Sequence, residues 1–218
     1  MSTLGLAIVA SRLDIMPRVV PKLAKHFDRV LILADGGKAK PDLFPWVTGS
    51  GYDWAAYHFG HEAYRCFNGA AALCGTDWIF QLDSDEDLTG AAELRRIVAE
   101  AERTGQNCVG FPRRNWIDLE RSDYRVDHWP DHQWRLRRNY GPAGDGGRAC
   151  YNRWRVHPDC LHASQWKQPH DGPVVIEHFA FALRTHADWH ATNTWYHDLL
   201  AADYRDGRDT PWAGKDMG

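Results

Sequence analysis

The chain reads Asp77-Trp78-Ile79-Phe80-Gln81-Leu82-Asp83-Ser84-Asp85-Glu86-Asp87-Leu88, an apolar run that ends in four carboxylates among five positions. A buried strand that leads into an acidic loop places these carboxylates at its carboxyl end, where open α/β sheets bind their ligands. Ligation by oxygen alone suits a hard divalent ion such as Mg²⁺ or Mn²⁺. The stretch therefore predicts a cation site and phosphate chemistry. The alternative is an acidic loop before a helix, with Asp87 or Thr89 capping a helix that starts at Ala91.

Length and composition favour one globular domain. The 218 residues suffice for a single domain with a sizeable core, and we expect one over residues 1–218. No segment approaches the roughly 18 apolar residues of a membrane span, and no basic region of a secretion signal precedes the first apolar run. Five cysteines without a CxxC pair predict reduced, packed thiols rather than disulfides or a zinc ribbon. We therefore expect a cytoplasmic protein.

Strands and helices alternate along the first half of the chain. Hydrophobic periodicity predicts strands at 4–10, 29–34, 55–59 and 78–82, and helices at 17–27, 61–74 and 89–104, with Thr89 as the N-cap of the last helix. Beyond residue 106 the pattern predicts strands at 107–112, 132–137 and 174–183, a loop at 140–147 and a closing helix at 186–203. This alternation predicts an α/β fold with a mostly parallel central sheet flanked by helices. We divide it into a nucleotide-binding half (1–105), an acceptor-binding half (106–205) and a tail (206–218).

Arginine residues are concentrated between Arg113 and Arg155. This segment has ten Arg, no Lys, five Asp and one Glu, a local charge of +4, so the rest of the chain carries -7 of the net charge of -3. Arginine without lysine favours bidentate binding of phosphate or carboxylate, although a solvated arginine-rich face is an equally good interpretation. The segment has no recognisable signature of a nucleic-acid-binding motif.

Several motifs carry a family resemblance in the expected order. They are the acidic strand of residues 75–86, Asn68 ten residues before Trp78, the segment of residues 130–138, the tripeptide Arg155-Val156-His157, and Ile176-Glu177-His178. Together they resemble the family 2 glycosyltransferases of the GT-A (Rossmann-like) fold, and are similar to small bacterial lipopolysaccharide-core glucosyltransferase-like proteins. The acidic strand resembles the DxD motif of that family.

The resemblance implies a role for most of these residues. Asp85 would bind Mn²⁺ or Mg²⁺ directly, Asp83 would face the metal or the ribose, and a late His178 would complete the metal shell, with His157 a further candidate for phosphate or metal contact. Asp35 would contact the nucleoside, although residues 34–37 depart from the usual pattern of the family. The full set of donor-binding candidates is Ser11, Asp35, Arg65, Asn68, Asp83, Arg135 and Arg137, with Arg138 next to them.

The activity implied is the transfer of a hexose from a nucleotide-diphosphate sugar to an acceptor hydroxyl. A divalent ion neutralises the charge that builds on the departing phosphates. An inverting transfer also needs a carboxylate base beside the acceptor hydroxyl, and Asp131 is the choice, with Asp159 and Glu120 in reserve. The acceptor would be a glycan, which is the default of the family, or a hydroxylated DNA base, which the Arg- and Trp-rich second half would suit through phosphate contacts and base stacking.

Two other classes of protein compete with a glycosyltransferase. A sugar nucleotidyltransferase would also use a metal-binding carboxylate pair, but residues 10–13 lack the glycine of a triphosphate loop. A non-catalytic nucleotide- or sugar-binding module could retain the same residues without turnover. His186 and His190 share one face of the predicted closing helix, where surface histidines are a better interpretation than a second metal site.

Overall fold

The computed structural model describes residues 1–35, 41–57, 73–125, 132–139 and 165–185, together with residue 187. The strands in this part of the chain are β1 (Leu4–Ala10), β2 (Arg29–Asp35), β3 (Asp53–Tyr57), β4 (Trp78–Asp83), β5 (Glu86–Thr89), β6 (Cys108–Trp116), β7 (Tyr124–Arg125), β8 (His132–Arg138), β9 (Gln165–Lys167) and β10 (Val175–His178). The helices are α1 (Met16–Ala24), α2 (Leu43–Gly49), α3 (Leu94–Arg103) and α4 (Ala180–Leu183). None of the helices within these ranges has the length and apolar character needed to cross a membrane.

Four parallel strands, in the order β3-β2-β1-β4, form the first part of one sheet. Most side chains of β1, β2 and β4 are buried, and α1 packs Val19, Val20 and Leu23 into the main core with them, whereas β3 is largely exposed. Five of the nine strand pairings among the described residues are parallel. The predicted fold class is confirmed: a curled central sheet is flanked by helices in a mixed α/β fold.

Strand β8 joins the two predicted halves of the chain. It lies between β4 and β6 and runs antiparallel to both. The pairing with β6 shifts register, because Val109 is opposite Leu136 while Gly110 is opposite Trp134. Arg135 is therefore the extra residue of a β-bulge. Bulges bend a strand and redirect a side chain, and they are common beside active sites.

Strands β5 and β10 bring distant residues back to the acidic loop. β10 runs antiparallel to β5 and parallel to β6, so that His178 lies opposite Glu86 on one side and Asn115 on the other. These residues are far apart in the sequence. They meet because β10 is inserted between two strands that come earlier in the chain.

The prediction that Thr89 caps a helix is wrong. Residues 86–89 form β5, a 3-10 turn of residues 91–93 follows, and α3 starts at Leu94 without a side-chain cap. Gly90 supplies the turn between them with a φ of 76°, and a Cβ at this position would lie 1.8 Å from the carbonyl oxygen of Pro173. Antiparallel pairing with β10 overrides the local preference of this segment for a helix.

Other predicted boundaries shift by a few residues or lie outside the described ranges. The strand predicted at 174–183 ends at His178, and residues 180–183 form α4 instead. The predicted loop at 140–147, the closing helix at 186–203, and most of the helix at 61–74 fall outside the described residues. Two of the five cysteines, Cys74 and Cys108, are described, and both are buried free thiols as predicted. Burial raises the pKa of Cys108 to about 12, although Arg137 opposes the change.

Candidate active site

The acidic residues follow the carboxyl end of β4, as the sequence predicts. Asp83 is paired with Val9 of β1, and the backbone N–H of Ser84 donates to the carbonyl of Val9 at 3.1 Å. The neighbouring parallel strands end at the same edge, with Ser11 half-buried directly after β1 and Asp35 buried as the last residue of β2. This edge therefore collects three of the predicted donor-binding residues.

Asp83 is held by two different parts of the fold. Its backbone N–H donates to Oε2 of Glu86 at 2.9 Å, and its Oδ2 accepts from Nη2 of Arg135 at 3.1 Å. The side chain remains 20% exposed, which leaves a carboxylate accessible at the edge of the sheet. These contacts fix the direction of the side chain before any ligand binds.

Glu86 and Arg135 form a fully buried ion pair beneath Asp83. Nη2 of Arg135 donates to Oε1 of Glu86 at 2.6 Å, and both side chains are completely inaccessible to solvent. Burial raises the pKa of Glu86 to about 7, opposed by the Arg135 charge and reinforced by Asp83 and Asp85. The β-bulge places this guanidinium, which explains how a residue on β8 reaches the acidic loop.

Asp85 is buried beside the guanidinium of Arg184 and the imidazole of His178. Its Oδ2 accepts from Nη2 of Arg184 at 2.7 Å, while its Oδ1 lies 3.9 Å from Nε2 of His178. The carbonyl oxygen of Asp85 also accepts from the backbone N–H of Phe179 at 2.9 Å. Because Arg184 holds one carboxylate oxygen, the other is directed toward the imidazole.

His178 is oriented by Asn115 on the neighbouring strand. Nδ1 of His178 lies 2.8 Å from Oδ1 of Asn115, so Nδ1 carries the proton when this oxygen is the acceptor. Nε2 then presents its lone pair on the side of Asp85. A hydrogen bond to the ring nitrogen that does not bind the metal is the usual way in which proteins orient a metal-binding histidine.

The donor pair of Asp85 and His178 has the chemistry and spacing for one cation. Two atoms that each lie about 2.1 Å from one ion are at most about 4.2 Å apart, so the 3.9 Å between Oδ1 and Nε2 is compatible with one shared ion, at an angle wider than that of adjacent octahedral ligands. Asp83 is turned toward Arg135 in this arrangement. Among the described residues, no group of three or more His, Cys, Asp or Glu side chains is arranged to hold a metal. Asp85 and His178 could thus hold an ion at this edge only together with further ligands.

Sequence analysis missed three residues of this site: Asp14, Asn115 and Arg184. Asp14 lies in the loop between β1 and α1 with a φ of 42°, and its Oδ2 accepts from the hydroxyl of Ser84 at 2.7 Å. Burial raises the pKa of Asp14; the Ser84 hydrogen bond opposes this rise and the charge of Asp85 adds to it. No motif in the sequence marks these three residues, because each becomes part of the site only through contacts between distant segments.

The other predicted site residues divide into two groups. Arg137 is buried on β8, Arg138 is exposed at the end of the same strand, and Glu120 is exposed in the turn between β6 and β7. The remaining predictions fall outside the described residues: Asp131, the predicted base, with Arg65, Asn68, His157, Asp159, His186 and His190.

Comparisons with known proteins show similarity of fold. No family model and no curated protein matches the chain by sequence. Among solved structures, TarS 1–349 of S. aureus aligns over 81% of this chain with a TM-score of 0.53 and 11% identity. The same TarS fragment in complex with UDP aligns over 62% of the chain with a TM-score of 0.40 and 12% identity, and IspDF of Campylobacter jejuni over 63% with 0.41 and 9%.

TarS is a glycosyltransferase of the GT-A type. This chain therefore has a glycosyltransferase-like fold. The chain spans less than two thirds of each of these structures: 60% of TarS 1–349, 46% of its UDP complex and 41% of IspDF.

Proposed function

We propose that this protein is a metal-dependent glycosyltransferase that moves a hexose from a nucleotide-diphosphate sugar to an acceptor hydroxyl. The observation that carries the proposal is the pairing of Asp85 with His178 at the carboxyl edge of the sheet, 3.9 Å apart, with Asp83 beside them. The glycosyltransferase-like fold supports the same class of enzyme. The family of lipopolysaccharide-core glucosyltransferase-like proteins remains the working hypothesis for its relatives.

Asp85 and His178 would hold the metal ion, either Mn²⁺ or Mg²⁺, with Asp83 facing the ion or the ribose of the donor. A bound divalent cation would neutralise charge on the departing diphosphate. Arg184 keeps Oδ2 of Asp85 occupied at 2.7 Å, which leaves Oδ1 for ligation. Asn115 keeps the proton of the imidazole on Nδ1, away from the ligating nitrogen.

Arg135 and Glu86 would preorganise the donor side of this site. Arg135 is fully buried, and Nη2 of its guanidinium lies 3.1 Å from Oδ2 of Asp83. A fixed positive charge in a water-excluded position stabilises developing negative charge without reorganisation during the reaction. Asp35, at the end of β2, would contact the nucleoside, and Ser11, Arg65, Asn68 and Arg137 are further donor-binding candidates.

Transfer to an acceptor also requires a general base, and Asp131 remains the proposed base because it directly precedes β8. The acceptor is a glycan or a hydroxylated base of DNA. We expect Asp131→Asn to retain donor binding while transfer falls by at least about a hundredfold. Normal turnover by this variant would move the base to another carboxylate, with Asp159 and Glu120 next to be substituted.

Donor and metal binding test the proposal directly. Purified protein is screened by thermal unfolding against nucleotide-diphosphate sugars, with Mn²⁺, with Mg²⁺ and with a chelator, and slow hydrolysis of each donor is followed by release of the nucleoside diphosphate. We expect one donor to stabilise the protein only when the metal is present. Asp85→Asn and His178→Ala should each abolish the metal-dependent part of the stabilisation.

Asp53→Asn provides a matched control for Asp85→Asn. Asp53 lies at the start of β3, away from the carboxyl edge, with a half-exposed side chain that pairs with Arg29 at 2.6 Å. Loss of this exposed pair costs at most about 1 kcal/mol and leaves the site intact. If no donor and no metal stabilises the wild-type protein, or if Asp53→Asn weakens binding as much as Asp85→Asn, the proposed function is wrong.

A further inference from the structure

We propose that Arg121 is a positioning residue for the Asp85 and His178 pair, which it supports from the turn between β6 and β7. The inference rests on the proposed function, since it assigns Arg121 to the same metal site. Arg121 contacts neither Asp85 nor His178 in any described hydrogen bond or ion pair. Its influence passes through Phe179, the residue that links the two.

Phe179 is the structural link between both members of the pair. It directly follows His178 at the end of β10, and its backbone N–H donates to the carbonyl of Asp85 at 2.9 Å. The phenyl ring is fully buried. A displacement of Phe179 would therefore move the imidazole and loosen the loop that carries Asp85 at the same time.

Arg121 anchors Phe179 with its guanidinium. The guanidinium carbon lies 5.2 Å from the centre of the Phe179 ring, within the range of a cation–π contact. Nη2 of the same guanidinium donates to Oδ2 of Asp87 at 2.7 Å. Asp87 is almost completely buried, so its charge holds the arginine firmly over the ring.

The turn before β7 fixes the backbone of Arg121. Arg121 has a φ of 62°, in the left-handed region that residues with a Cβ adopt infrequently. Asp118 stabilises the turn by accepting from the backbone N–H and the hydroxyl of Ser122 at 3.0 and 2.6 Å, and from the N–H of Asp123 at 3.2 Å. A disfavoured conformation fixed by several hydrogen bonds is frequent at functional sites.

Lys22 offers a matched control, because it shares Asp87 with Arg121. Lys22 lies on α1, and its Nζ donates to both carboxylate oxygens of Asp87 at 2.6 Å. Lys22→Ala therefore removes one cation from the same buried carboxylate and leaves the contact with Phe179 in place. A general loss of stability would weaken metal binding in both Lys22→Ala and Arg121→Ala, whereas a positioning role predicts weaker metal binding in Arg121→Ala alone.

The first measurement is the dissociation constant for Mn²⁺, from electron paramagnetic resonance of the free ion. We expect Arg121→Ala to raise this constant about tenfold, as is typical when support of a metal ligand is lost, and Lys22→Ala to change it less than twofold. Arg121→Lys should fall between the two, because lysine can pair with Asp87 but lacks the planar guanidinium. If Arg121→Ala does not fold, Arg121→Lys can still be compared with Lys22→Ala.

The second measurement needs no metal. The ¹⁵N shifts of the His178 imidazole, assigned with His178→Gln, report its tautomer and hydrogen bond to Asn115 in the metal-free protein. We expect them to change in Arg121→Ala or Arg121→Lys and to stay unchanged in Lys22→Ala. A wild-type protein that binds no Mn²⁺ would refute the proposed metal site, while these shifts would still decide the role of Arg121. Unchanged shifts in both arginine variants, or equal changes in Lys22→Ala, would overturn that role.

Discussion

Replacement of Glu86 by glutamine tests whether a buried, ionisable group opposes folding beneath the site. The pKa of Glu86 is raised to about 7 in the folded protein by burial, against its ordinary value of 4.5. The folded state therefore binds a proton more tightly than the unfolded state between these values. By linkage, the contribution of Glu86 to the stability of the wild-type protein is largest below pH 4.5, and this contribution is lost as the pH rises to 7.

The size of the effect follows from the difference between the two pKa values. One pKa unit corresponds to 1.36 kcal/mol, so the contribution of Glu86 falls by roughly 2 to 3 kcal/mol between pH 5 and pH 8. Glutamine has nearly the same shape and no charge, and its oxygen can still accept from Arg135. We expect the unfolding free energy of Glu86→Gln, relative to the wild type, to rise by this amount over the same range.

Urea unfolding of the metal-free protein, followed by tryptophan fluorescence at several pH values with a chelator present, measures this difference. Glu93→Gln is the control, because Glu93 is a half-exposed residue of the 3-10 turn that pairs with Arg96 at 2.8 Å. The difference for Glu86→Gln should change with pH by more than the difference for Glu93→Gln does. A difference for Glu86→Gln that stays constant, or that falls as the pH rises, would refute the reasoning from burial.

Two further predictions concern the framework around the site. Gly90→Ala should lower the unfolding free energy, measured by urea titration, by at least about 2 kcal/mol more than Gly51→Ala does. Both glycines have a φ near 77°, but only at Gly90 would a Cβ clash, because it would lie 1.8 Å from the carbonyl oxygen of Pro173. Equal losses of stability in the two variants would contradict this prediction. Cys108 should stay unmodified by a thiol reagent at pH 8 until the protein unfolds, because burial raises the pKa of its thiol to about 12. Mass spectrometry of the peptide that contains Cys108 measures the modification. Modification in the folded protein would contradict this prediction and show that β6 opens.

The strands that position the site were predictable because their signal is local. Residues 4–10 were predicted as a strand and form one with the same ends, and the strand predicted at 78–82 extends by a single residue to Asp83. Continuous apolar runs that end in polar residues are typical of parallel strands buried on both faces. The position of Asp83 and Asp85 at the edge of the sheet follows from that pattern alone.

Thr89 shows where local preference misleads. A threonine followed by Ala91 and a periodic apolar pattern is typical of a helix start, yet residues 86–89 pair with β10. The hydroxyl of Thr89 donates to the buried carboxylate of Glu177 at 2.7 Å instead of capping a helix. The partner strand lies almost ninety residues further along the chain, so no window of sequence around Thr89 contains the information that decides its structure.

The acidic stretch from Asp83 to Asp87 by itself determined that a cluster of carboxylates follows a buried strand, because burial and polarity are properties of each residue. Only the tertiary structure decided which side chain each carboxylate contacts. Asp85 faces His178, Glu86 lies buried against Arg135, and Asp87 anchors Arg121 rather than capping a helix. Neighbouring carboxylates acquire different partners because Glu86 and Asp87 point to opposite faces of β5, while Asp85 lies in the turn before it, and each of them contacts segments that are distant in the sequence.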